Sequence, residues 1–90
     1  MRNYIENYCV ENELDNVMFM DGHDNAILGL SSCFHSIKVV YSYKKIIKNL
    51  CKYMTYDEAI EYYSYNIQGA YVGEGTPIIM QDDIDWEFYE

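Results

Sequence analysis

A chain of 90 residues has room for one domain and not for a second. Half of it is hydrophobic, enough for a core, yet no apolar run approaches the roughly 18 residues that span a bilayer. Residues 53–90 hold nine acids and no Lys or Arg and account for the whole net charge of −9, which argues against direct nucleic-acid binding, where phosphate contacts need clustered cations.

The first 52 residues balance six basic side chains against six acids. The opening MRNYIENYCVEN lacks the apolar stretch of a signal peptide, so a cytoplasmic location is expected. Cys9, Cys33 and Cys51 form an odd set without a C-x-x-C spacing, and are expected as free thiols packed like small hydrophobes. Eleven tyrosines exceed what so small a core absorbs. Several should therefore lie at the surface, each offering a flat amphipathic contact area.

Residues 1–16 read as an N-terminal arm. Val17–Met20 is a short apolar run closed by the turn pair Asp21-Gly22, and reads as a first strand. From Asp24 to Phe34 the apolar positions Ala26, Ile27, Leu30 and Phe34 fall at helical spacing, with Asp24 or Asp21 as N-cap and Gly29 as a weak point. Ile37–Tyr41 is β-branched and aromatic, the clearest strand in the chain.

Ser42 is an N-cap for a helix through Met54, with Ile46, Ile47, Leu50, Cys51 and Met54 inward and Lys44, Lys48 and Lys52 in a row outward. Thr55-Tyr56-Asp57-Glu58 is a capping box opening a further helix to about Gln68, with Ala59, Ile60, Tyr63 and Ile67 inward and Gly69 as its stop. A turn at 73–77 precedes a third strand, Ile78–Met80. Segment 82–90 alternates acid with Ile84, Trp86 and Phe88, which suits either an edge strand or an acidic-aromatic tail that orders on a partner.

The whole predicts one α+β domain with a three- to four-stranded sheet and about three helices. Its expected order is β-α-β-α-α-β, with a C-terminal edge strand as an open addition.

No motif in the chain names a reaction. Asp21, His23 and Asp24, with Cys33 and His35 further on, form the densest polar cluster, but lack H-E-x-x-H or EF-hand spacing. A turn and a cap explain the same residues. Cys33 and His35 stand two apart, so on a helix they would not face each other. Gly73 and Gly75 are too few for a phosphate loop, and have the simpler role of permitting positive φ in a turn. No metal or other cofactor is expected.

Three stretches together resemble a family of small proteins encoded by tailed bacteriophages and environmental viral genomes. They are Asp21-Gly22-x-Asp24-x-Ala26-Ile27-x-Gly29, then Met54-Thr55-Tyr56-Asp57-Glu58-Ala59-x-Glu61-Tyr62, then Asn66-Ile67-x-Gly69-Ala70-Tyr71-Val72-Gly73-Glu74-Gly75-Thr76-Pro77-Ile78. The likeness covers residues 17–80 and implies no established chemistry and no catalytic residue.

On this resemblance the expectation is a non-enzymatic viral protein that binds and inhibits a host protein. It would work in the manner of an anti-CRISPR or nucleic-acid mimic, in the cytoplasm of an infected bacterium. Its acids would occupy a basic surface: Glu74, Asp82, Asp83, Asp85 and Glu87, anchored by Trp86 and Tyr89. The plainer account is that these acids keep a tyrosine-rich protein in solution.

Lys44, Lys48 and Lys52 are a second candidate surface, for an acidic partner or for a second copy of the chain. Two other readings stay open. One is an oligomer that sequesters a nucleotide or signalling molecule against those lysines. The other is a metal-dependent hydrolase built on Asp21, His23, Asp24 and His35.

Overall fold

The structure, a computed structural model, describes residues 1–14, 16–33, 36–67 and 75–83. Helix α1 spans Arg2–Glu11, and a single 3-10 turn, Asp24–Ala26, leads into strand β1, Ile27–Cys33. Strand β2 (Ser36–Ser42), helix α2 (Tyr43–Leu50), helix α3 (Tyr56–Asn66) and strand β3 (Ile78–Met80) follow. This is an α+β fold with three helices and one three-stranded mixed sheet, as expected, and from β2 onward the order β-α-α-β follows the sequence reading.

β2 is the middle strand. It pairs antiparallel with β1, from Ile27 opposite Tyr41 to Cys33 opposite Ser36, and parallel with β3, from Val40 opposite Ile78 to Ser42 opposite Met80. A strand paired on both edges satisfies backbone donors and acceptors on either side, which suits the β-branched and aromatic run Ile37–Tyr41. Val39 and Tyr41 are fully buried, and with Ile46 they are among the largest side chains sealed from water. Each contributes about 1.5–3 kcal/mol of burial free energy.

Two elements differ from the sequence reading. Residues 27–33, read there as helix, form β1, because Gly29, Ser31 and Ser32 lower helix propensity while β2 supplies a ladder along one edge. Gly29, at φ 155°, marks the register shift between Ile27 and Gly29, and is a bulge in a strand, not a weak point in a helix. Val17–Met20 is half-buried but outside the sheet; its Met20 amide donates to the Tyr41 hydroxyl at 2.7 Å, so a side chain takes the place of a strand partner.

The N-terminal arm is helical over most of its length. α1 buries only Ile5 and Cys9, four apart, and lies against β1. It ends in a Schellman motif: Leu14 N–H donates to Cys9 O at 2.8 Å and Glu13 N–H to Val10 O at 3.3 Å. Glu13 occupies the left-handed position at φ 56°, where glycine is usual.

α2 and α3 form a helical hairpin. Ser42 Oγ accepts from Lys45 N at 3.1 Å, confirming the cap. α2 stops at Leu50, short of the expected Met54, through bonds from Lys52 N to Asn49 O and Tyr53 N to Leu50 O that tighten its last turn. Thr55 then opens α3 with both halves of the capping box, at 3.2 and 3.1 Å. Tyr43 meets Tyr63 edge to face, with ring centres 4.8 Å apart, and locks the two helices together.

Candidate functional site

The polar cluster at residues 21–25 is held by structural partners. Arg2 Nε binds Glu6 at 2.7 Å, and its Nη1 reaches Asp24 at 3.0 Å and Asp21 at 3.7 Å. The same guanidinium lies 4.6 Å from the centre of the Phe19 ring. Asp24 and Asp21 therefore anchor α1 and cap no helix; His23 stands at the cap position of the 3-10 turn, but its side chain does not cap the turn.

On the other side of this turn, Asn49 is buried and exchanges amide hydrogen bonds with Asn25, at 2.7 and 3.0 Å. Asn49 Nδ2 also lies 3.2 Å from His23 Nδ1. The reciprocal Asn25–Asn49 pair fixes the Asn49 amide beside Nδ1, and the tautomer of the ring decides which of the two donates. Burial lowers the His23 pKa, against a smaller opposing pull from Asp24. Asp21, His23 and Asp24 thus do not converge, and among the described residues no three His, Cys, Asp or Glu side chains are placed to hold a metal. His35 lies outside the described residues.

The lysine row is divided. Lys44 and Lys48 are exposed on α2, whereas Lys52 follows the helix end. Lys44 and Lys48 border a groove of about 390 Å³ floored by Tyr43, Ile47, Cys51 and Tyr56, with Asp83 at its edge. Lys52 borders a separate polar cleft with Asn25, Asn49 and Tyr53. The three cations do not line one cavity within a chain; the nucleotide-sequestering reading places its cavity between subunits. Cys51 is exposed, contrary to the expectation of a packed thiol, because α2 ends before it; Cys9 is buried as expected.

Of the predicted acidic surface, Glu74, Asp85, Trp86, Glu87 and Tyr89 lie outside the described residues. Asp83 is exposed. Asp82 is a correction: it is half-buried, its carboxylate accepting the Ser42 hydroxyl and, at 2.9 Å, the backbone N–H of Lys44. An anion at these amides answers the positive end of α2. Burial pushes the Asp82 pKa up, but the Ser42 hydroxyl, the Lys44 amide and the Lys44 charge together bring it below the usual value. Asp82 is spent on the fold.

A better-formed acidic surface lies on α3. With Ala59 and Tyr63 buried, the opposite side of the helix presents Asp57, Glu58, Glu61, Tyr62 and Tyr65, all exposed. Tyr65 is 80% exposed, a large cost-free contact area for a partner. This face was available in the sequence as the complement of the inward positions Ala59, Ile60, Tyr63 and Ile67. Among the described residues Tyr4, Tyr8, Tyr53, Tyr56, Tyr62 and Tyr65 are exposed, as the count of eleven implied.

A cleft of about 740 Å³ is walled by Met18, Phe19, Met20, Tyr63, Ile67 and Ile79. Its walls adjoin positions 68–74, outside the described residues. No helix among the described residues is long and apolar enough to cross a membrane.

No family model matches this chain, and neither a curated protein nor a solved structure is similar to it.

Proposed function

We propose that this chain is a non-enzymatic binding protein whose acidic, tyrosine-bearing surface occupies a basic surface on another protein. The observation that carries the reading is the outer face of α3, where Asp57, Glu58 and Glu61 stand beside Tyr62 and Tyr65 on one ordered helix. Carboxylates steer the approach to a cationic groove, while exposed phenol rings supply buried area at low entropic cost. The absence of any Lys or Arg from residues 53–90 leaves that field uncompensated locally.

The likeness to small phage proteins makes the expected partner a host protein, and the expected effect counter-defence by competition with nucleic acid. The face on α3 replaces Asp82 in this role.

The test is capture from host extract by immobilised wild type, alongside an Asp57→Asn/Glu61→Gln/Tyr65→Ala variant. A protein held by wild type, released by duplex DNA or RNA, and lost by the variant supports the reading. Capture that the triple variant leaves unchanged removes it.

A further inference from the structure

We infer that α2 and α3 of one copy dock on α3 and α2 of a second copy, forming a two-fold symmetric dimer through opposite charges. The two helices lie side by side in a hairpin, joined by the Tyr43–Tyr63 contact, so their outer faces are presented together. α2 offers Lys44, Lys45 and Lys48, all exposed; α3 offers Asp57, Glu58 and Glu61, also exposed. The ion pairs seen among the described residues all involve Arg2 and none a lysine, so no described acid neutralises the α2 cations by a salt bridge.

A two-fold axis between two such hairpins sets each basic helix against the partner's acidic one, and does so twice. The spacing agrees. Lys44 to Lys48 rises about 6 Å along α2, as does Asp57 to Glu61 along α3. Beside the lysines, the groove floored by Tyr43, Ile47, Cys51 and Tyr56 has a volume of about 390 Å³, room for a phenol ring from Tyr62 or Tyr65 of the second copy.

Magnitudes place the contact in the weak class. α2 is about 12 Å long and α3 about 16 Å, and strips about 10 Å wide give roughly 300 Å² per copy, below the ~800 Å² of a standard interface. The net charge of −9 also repels two copies at long range. The dimer is therefore in exchange with monomer, and its acidic face stays open to competition. This inference stands apart from the proposed host partner: either can fail without the other.

Sedimentation equilibrium from about 10 µM to 1 mM protein, spanning the weak-affinity range, tests it with a charge exchange. Lys44→Glu/Lys48→Glu makes both helices acidic, and Asp57→Lys/Glu61→Lys makes both basic; each alone is expected to be monomeric. An equimolar mixture is expected to restore the dimer, because both halves of the contact regain opposite charges. Wild type that is monomeric throughout overturns the inference and leaves these faces to a foreign partner, and a dimer that survives in both variants overturns it by placing the contact elsewhere.

Carbodiimide cross-linking of mixed light and ¹⁵N-labelled wild type gives a second readout that needs no substitution. Mixed-isotope links from Lys44 or Lys48 to Asp57 or Glu61 are expected, and their absence at concentrations where dimer is present overturns the assignment.

Discussion

Asp82 caps a helix that begins forty residues before it: the carboxylate takes the Ser42 hydroxyl with one oxygen and the Lys44 amide with the other. Ser42 is fully buried and uses both its capacities, accepting from Lys45 N and donating to Asp82. The end of β3, the end of β2 and the start of α2 are thereby fastened at one point.

Replacing Asp82 with Ala is expected to cost about 1–3 kcal/mol, because a charge-assisted bond is lost and a buried hydroxyl is left short of its acceptor. Asn at this position should recover part of it. Urea denaturation of the two variants measures the difference, and a cost within experimental error for Ala would remove the clasp from the account.

The same carboxylate sets an acid limit. Its folded-state pKa lies below the ordinary value, so the unfolded chain takes up the proton first. The stabilisation is complete above the unfolded value of about 3.9 and is lost as pH falls through the folded one. Wild type should lose more stability than Asp82→Asn between pH 5 and the acid transition, roughly the window over which a salt-bridged Asp titrates.

His23 acts at higher pH. Burial depresses its pKa, so stability present above the unfolded value of about 6.5 declines as pH drops toward the folded value. The cause is that a charged ring loses water in this half-buried site, and the nearby Asp24 carboxylate only partly offsets that loss. His23→Asn is expected to flatten the stability profile between pH 7 and 5, a window on either side of the histidine value. NMR titration of the ring gives the folded pKa directly; a value above 6.5 contradicts the argument.

Glu13 holds a left-handed conformation at the end of α1, which costs a residue with a Cβ about 1–2 kcal/mol. Glu13→Gly should relieve this, offset in part by the greater freedom of glycine in the unfolded chain. A net gain of about 0.5–1 kcal/mol is expected in denaturant unfolding. A loss of stability would show that Glu13 makes compensating contacts.

Gly75 should tolerate no side chain. A Cβ there would stand 1.6 Å from the Asn16 carbonyl oxygen, a clash with backbone rather than with a movable side chain. Gly75→Ala is expected to cost about 1–3 kcal/mol, and a neutral thermal melt would count against the close approach. Gly75 is thus required for its proximity to Asn16.

What could be read in advance was local. The Thr55–Glu58 box, the Ser42 cap and the β-branched run at 37–41 each depend on residues within four positions of one another, and all three are present. Residues 27–33 were misjudged because Ala26, Ile27 and Leu30 satisfy helical spacing, while the deciding influence, a paired β2, lies beyond position 35. α1 was missed because Ile5 and Cys9 are too few to show a period.

The candidate surface divides in the same way. The outward face of α3 follows from its inward one, but no local pattern reveals that Asp82 turns inward to α2. Sequence also placed Lys52 in line with Lys44 and Lys48, and the turn at 51–53 removes it.

The parallel pairing of β2 with β3 carries a consequence for how the molecule is made. The β1–β2 and α2–α3 hairpins join near neighbours and can form early, whereas Val40 beside Ile78 closes a loop of roughly forty residues, with its entropy lost before any contact is gained. During synthesis the sheet therefore waits for β3 until residues 78–82 have emerged from the ribosome, and the Asp82 clasp fastens only then.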